Sequence, residues 1–297
     1  MPTIDWNRNT WNFEYNWSEG GGEWSRAWGG EDMHWYGSIL PRIHCFIPVG
    51  TMLEIAPGFG RWTQFLRDLC ERLILVDLSD KCIQVCQERF KLNSHISYFV
   101  NDGSSLDMID DESVDFIFSF DSLVHVEDEV IQKYIYQFSR ILTKDGVGFI
   151  HHSNLGEYTK YFSFVRWLQK YFVRPSHSED RNRDEQGSSG LSTIKLKMAQ
   201  ALVEFGIIDK SHSRAISMTA SKFEEYTKEA GLQCISQEII DWGSKRLIDC
   251  LSVFTKTDSR WSRESKFIRN DHYMKEAKNI FAASRLYGRS SFKDHHA

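Results

Sequence analysis

Short apolar runs recur through the first half of the chain: Met52-Leu53-Glu54-Ile55, Leu73-Ile74-Leu75-Val76, Ile96–Val100, Val114-Asp115-Phe116-Ile117-Phe118-Ser119-Phe120 and Val147-Gly148-Phe149-Ile150. Each has the length of a buried strand and gives way to glycine, proline or polar residues. Between them the spacing changes to that of a helix face. Trp62, Phe65, Leu66 and Leu69 fall on one face over 61–70, and Ser79 stands as N-cap to a run with Cys82 and Cys86 four apart. A further helix is expected over 127–142. Strands alternating with helices predict a mostly parallel α/β sheet. Past residue 215 the order changes to one helix (221–230) and two consecutive strands (232–242 and 247–257), the pattern of an antiparallel pair at the sheet's end.

The first strand leads into a turn of Ala56-Pro57-Gly58-Phe59-Gly60 followed at once by helical spacing. Strand, glycine turn and helix make a ligand cradle: glycine lets the main chain approach a ligand without a Cβ, and free amides at a helix start favour electron-rich groups. A second acidic residue, Asp77, ends the second strand, where a carboxylate can accept hydrogen bonds from both hydroxyls of a ribose. The third glycine that a pyrophosphate would require is absent, because Arg61-Trp62-Thr63 follows Gly60. The expected ligand is a nucleoside without phosphates.

With Glu54, Ala56, Gly58 and Gly60 in this order, the chain resembles the class I S-adenosylmethionine-dependent methyltransferases, departing from their pattern at Ala56, where a glycine is usual. The resemblance covers roughly 50–153 and 215–257. It implies a Rossmann-like, mostly parallel sheet with an antiparallel last strand, carrying a helical insertion and an N-terminal flap. The divisions would be a Trp-rich flap (1–48), a donor-binding core (49–153), a helical insertion serving as acceptor lid (154–214), the closing helix and strands (215–258) and a basic tail (259–297). S-adenosylmethionine would be held by Glu54, Ala56, Gly58, Gly60, Arg61, Asp77, Leu78 and Phe120. Asp102 would receive the adenine amino group, with Gly103 and Ser104 beside it.

The fourth and fifth strands deliver Asp121, His125, His151 and His152 to the ligand edge of the sheet. A neutral imidazole suits removal of a proton from a hydroxyl acceptor. His152 and His125 are placed ahead of His151 as base, with Asp121 orienting it. A divalent cation held by Asp121, Glu127 and His151 is the alternative, and no metal is predicted. Asp121-Ser122-Leu123 lacks the prolines of the amino-group enzymes acting on DNA, which argues against nucleobase targets. The flap residues Trp35 and Tyr36, together with Asn154, His212 and Arg214, are the expected acceptor contacts. The tryptophans of the first 48 residues either pack singly on the core or form the flap, with Gly29-Gly30 as hinge. The runs 53–63, 118–125 and 149–154 look like bacterial methyltransferases that modify surface-polysaccharide and natural-product sugars. That likeness implies O-methylation of a sugar or polyhydroxylated small molecule. Methylation of an amine or carboxylate, and a non-catalytic donor-binding scaffold in glycan assembly, are the other readings.

The composition changes this picture little. A chain of 297 residues with 41% hydrophobic content can bury a core. A net charge of −5 argues against a surface devoted to nucleic acid, although 259–297 holds nine Lys or Arg against four Asp or Glu. That tail is expected to contain a basic helix over 270–287, either solvated or facing an anionic glycan, lipid surface or RNA. Six cysteines show no paired spacing and read as reduced core thiols. The start has no signal-peptide pattern and no run reaches a membrane span, so the cytoplasm is expected. The insertion offers a face for a homodimer.

Overall fold

Alternation along the apolar runs sorts the core into two layers. Met52, Leu73, Leu75, Phe116, Phe118 and Phe149 face one side of a sheet, while Leu53, Ile55, Ile74, Val76, Ile117 and Ile150 face the other. Successive side chains on a strand point to opposite faces, so each run covers both sides at once. In the computed structural model, which describes residues 3–164 and 214–287, the runs form β1 (Val49–Ile55), β2 (Cys70–Asp77), β3 (Ile96–Val100), β4 (Val114–Ser119) and β5 (Leu142–Ser153). They are joined by β6 (Leu232–Ile240), β7 (Asp249–Lys256) and β8 (Lys266–Asn270). The order across the sheet is β3-β2-β1-β4-β5-β7-β6-β8. All neighbours are parallel except β7, which runs antiparallel to both β5 and β6.

The principal helices are α1 (Ile4–Asn9), α2 (Asp80–Arg89), α3 (Asp128–Ile141), α4 (Ala220–Glu229) and α5 (Tyr273–Tyr287). Ser79 caps α2 as expected, its Oγ accepting from the Cys82 amide at 3.1 Å. The helix expected over 61–70 shrinks to one turn, Thr63–Leu66, because β2 already begins at Cys70. Lys144-Asp145-Gly146 lies inside β5, whose register against β4 shifts between Val114 and Phe116. The tail adds an unexpected edge strand, β8, before its helix. That helix is docked. Tyr273 and Ala277 are buried, and Arg42 ties Glu276 of α5 to Glu238 of β6. Of the insertion, a 3₁₀ turn at Leu155–Tyr158 leads into helix over 159–164. The rest of the expected insertion, 165–213 with His212, lies outside the described residues.

Gly148 of β5 is the cross-strand partner of Phe254 on β7, and the phenylalanine ring lies over it. A Cβ on Gly148 would stand 2.1 Å from Phe254 Cζ. Because cores resist overpacking, Gly148→Val is expected to lower the unfolding free energy by roughly 2 kcal/mol in urea titration, with Phe254→Leu in the same chain recovering part of the loss.

Candidate functional site

The carboxyl ends of β1, β2 and β4 open onto one cavity, as the crevice rule for parallel sheets requires. Among the expected residues, Ala56, Gly58, Arg61, Asp77, Leu78, Gly103, Phe120 and Asp121 line it. Gly58 and Gly60 both take positive φ, +57° and +82°, and Ala56 does so as well at +56°. Alanine at the place where glycine is usual therefore keeps glycine's conformation, at the steric cost of a left-handed L-residue. The Ser122 hydroxyl donates to the Ala56 carbonyl at 2.8 Å and braces the turn.

Asp77 closes the cradle. Its Oδ2 accepts from the Gly58 amide at 3.2 Å and its Oδ1 from the Ser79 amide at 2.8 Å. Burial pushes its pKa up to about 6 against the pull of these donors. Glu54, on the adjoining strand, does not line the cavity: it sits beneath the turn and accepts from the Thr63 hydroxyl at 2.6 Å. Burial drives its pKa up to about 8, opposed by that hydrogen bond. The Asp102 Oδ1 accepts from the amides of Ser104 and Ser105, and the side chain is exposed and does not line the cavity. Gly103 alone of that trio lines the cavity, against Ile4 of α1.

The roof is aromatic and comes from the first 24 residues. Trp11, Trp17 and Trp24 line the cavity. Trp17 stacks on Phe59 with centroids 4.3 Å apart and fills the space a Gly58 Cβ would need. These three, rather than Trp35 and Tyr36, cover the crevice. Trp35 is buried against Phe65, and Tyr36 is exposed. Periodicity could not find them, because the segment winds through short helical turns of mixed type separated by Gly20 and Gly21. The tryptophan spacing was the only signal.

One end of the cavity is charged. The Arg61 Nη2 donates to Asp121 Oδ2 at 2.9 Å, with both side chains under a tenth exposed. The guanidinium lies between Trp24 and Trp62, 5.1 and 4.5 Å from their rings. Its Nη1 and the neighbouring Trp62 Nε1 are buried with no partner. Asp121 itself has φ +64°.

The histidines divide by strand parity. His151 faces the cavity side, with Nδ1 accepting from the Asp121 amide at 3.1 Å. His152 faces the opposite side, stacked on Phe223 of α4 at 4.4 Å and bonded to Ser252 Oγ at 2.8 Å. Burial lowers its pKa to about 4. The placing of His152 first among candidate bases is thereby corrected. His125 packs on Trp11, which separates it from the cavity, and its carbonyl accepts from Asn7 at 3.0 Å. Asn154 holds the Ala220 amide and the Leu247 carbonyl, and Arg214 donates to Asp249 at 2.5 Å. Both are buried structural partners below the cavity. Glu127 turns to the Ser217 amide and hydroxyl, away from His151, so those residues do not converge as cation ligands. Asp249 was missed, although a lone acid within Leu247-Ile248-Asp249-Cys250-Leu251 was a readable signal.

Residues 52–146 match the family model described as a methyltransferase domain. That segment therefore resembles a methyltransferase domain, and it lies in a Rossmann-like α/β sheet whose seventh strand alone is reversed. A wheat (Triticum aestivum) phosphoethanolamine N-methyltransferase 1 is 28% identical over 160 residues, 52% of this chain and 32% of its own length. The chain thus spans about a third of the curated relative it matches. Among solved structures, the PH0226 protein of Pyrococcus horikoshii OT3 aligns at 16% identity with TM-score 0.49, covering 84% of this chain and 95% of its own. An S-adenosylmethionine-dependent methyltransferase of Clostridium acetobutylicum aligns at 15% and TM-score 0.48, covering 78% and 92%. Among the described residues, no helix is long and apolar enough to cross a membrane.

The raised pKa of Glu54 has a signed consequence. Between 4.5 and about 8 the folded domain keeps a proton that the unfolded chain releases, so stability falls as pH rises through that window. Asp77 shifts in the same direction but only up to about pH 6. Between pH 6 and pH 8 the buried neutral His34 and His152 act in the opposite sense, since the unfolded chain still binds protons there, so Glu54 is isolated by the difference between native protein and Glu54→Gln. In urea titrations at the two pH values, the native protein is expected to lose stability relative to Glu54→Gln as pH rises.

Proposed function

We propose that the protein is an S-adenosylmethionine-dependent methyltransferase whose acceptor is a small amine that also carries an acidic group. The cradle fits the donor. Asp77 presents a buried carboxylate to a cavity walled by glycine main chain and aromatic faces, which suits a ribose at one end and a sulfonium at the other. When bound, S-adenosylmethionine supplies a methyl group already activated on sulfur.

The single observation that carries the acceptor reading is the Arg61–Asp121 pair at the cavity's end. It offers a carboxylate to an amine, and in Arg61 Nη1 a buried donor still without a partner for an acidic substituent. An amine that has given its proton to solvent needs no buried base; Asp121 accepts from its remaining N–H and aims the lone pair. No imidazole lines the cavity among the described residues, which agrees with this. The name of the wheat relative points the same way.

A hydroxyl of a sugar or other polyhydroxylated acceptor is the second reading. The same Asp121 carboxylate favours it, because it stands at the cavity's charged end where it can accept a hydroxyl proton.

Calorimetry with S-adenosylmethionine and its demethylated product tests the donor site, and silent titrations of folded protein would remove both readings. Mass spectrometry of incubations with zwitterionic amines and with nucleotide sugars separates them. Methylated amine is expected, and product from the sugars alone would transfer the assignment to the hydroxyl. Asp121→Asn should lower kcat by about a hundredfold while leaving donor affinity within about threefold.

A further inference from the structure

Asp121 is a non-glycine residue in the left-handed region, with φ +64° at the mouth of the crevice. The conformation costs an L-residue about 1–2 kcal/mol, and neighbouring hydrogen bonds can offset that cost. Three contacts act on this stretch. Arg61 holds the Asp121 carboxylate, Ser122 holds the Ala56 carbonyl, and the Asp121 amide donates to His151 Nδ1. Only the last fixes the Asp121 peptide itself. It also requires Nδ1 to be the unprotonated nitrogen, so the neutral ring carries its proton on Nε2. That nitrogen is 3.3 Å from Asp249 Oδ2, and both side chains are fully buried. The contact is an ion-pair approach rather than a linear hydrogen bond, since neither atom meets hydrogen-bond geometry. Arg214 binds the other Asp249 oxygen. Phe120 and Trp242 pack against the ring, with centroids 4.7 and 5.2 Å away.

We infer that His151 is a positioning residue: by accepting the Asp121 amide proton it sets the left-handed turn that aims the Asp121 carboxylate into the cavity, and Asp249 with Arg214 selects the tautomer that lets it do so. This rests on the reading that Asp121 meets the acceptor. It differs from a role as base, because the nitrogen that would take a proton is the one occupied by the amide.

Two substitutions separate the functions of the two ring nitrogens. An asparagine carbonyl oxygen can stand where Nδ1 stands, and a glutamine amide reaches the Nε2 position instead. His151→Asn is expected to keep kcat within about fivefold of the native value, whereas His151→Gln and His151→Leu should lose about a hundredfold, all three binding donor as the native protein does. Hydrogen exchange at the Asp121 amide supplies a readout that needs no turnover. Protection should persist in the Asn variant and be lost in the Gln and Leu variants. An Asn variant as inactive and as unprotected as Leu, or a Gln variant indistinguishable from native in both measurements, would overturn the inference. Should the Leu variant fail to fold, the Asn and Gln pair decides it. Absence of donor binding in the native protein would strike the methyltransferase reading instead, and the exchange result would still judge the geometry.

Discussion

The ion pair between Arg61 and Asp121 joins the loop after β1 to the loop after β4, across the crevice where the sheet's order reverses. Charges this buried gain little net stability from each other, because taking both out of water offsets their attraction. Removing one alone would leave its partner stranded, at a cost of about 3–5 kcal/mol. The pair therefore acts as a constraint on geometry. It fixes which side chains bound the cavity's charged end, and it gives Trp24 of the N-terminal segment a cation to rest on.

That segment is anchored on both the donor and the charged side. Trp17 covers Gly58 and Phe59, and the Asn12 amide oxygen meets the same Ser79 hydroxyl that caps α2. Its far end is gripped from outside the core fold: Gly37 is packed under Ile280 of α5, and Arg42 is shared by Glu238 and Glu276. The C-terminal strand and helix thus extend the sheet at one edge and at the same time pin the base of the aromatic roof. The segment over 22–42 and the last helix thus pack directly on each other.

Ionisable groups around the crevice fall into distinct environments. Glu54 and Asp77 are pushed toward their neutral forms by burial. Asp249, equally buried, is nonetheless held well below the usual carboxylate range by Arg214 and His151. His34 lies stacked on Trp28 at 3.6 Å, with burial first and then nearby Arg61 keeping it neutral. The carboxylates that line the cavity are Asp77 and Asp121, among mostly aromatic and aliphatic neighbours.

The periods of the apolar pattern, two within strands and near 3.6 between them, were sufficient to establish β1 to β7, most helix positions, the glycine turn and the acids at strand ends. Those features are local: a buried strand, a turn and a cap each leave their mark within a few residues. What the pattern could not reach was set by packing between distant segments. Which tryptophans roof the crevice depends on irregular turns stacking on Phe59. Asp102's use by its own loop, and the partnership of Asp121 with Arg61 and His151, arise from side chains brought together by the sheet. Strand parity shows why the two adjacent histidines were inseparable in sequence. One residue of shift sends His151 to the Asp121 side of the sheet and His152 beneath α4, as the register of β5 against β7 sets.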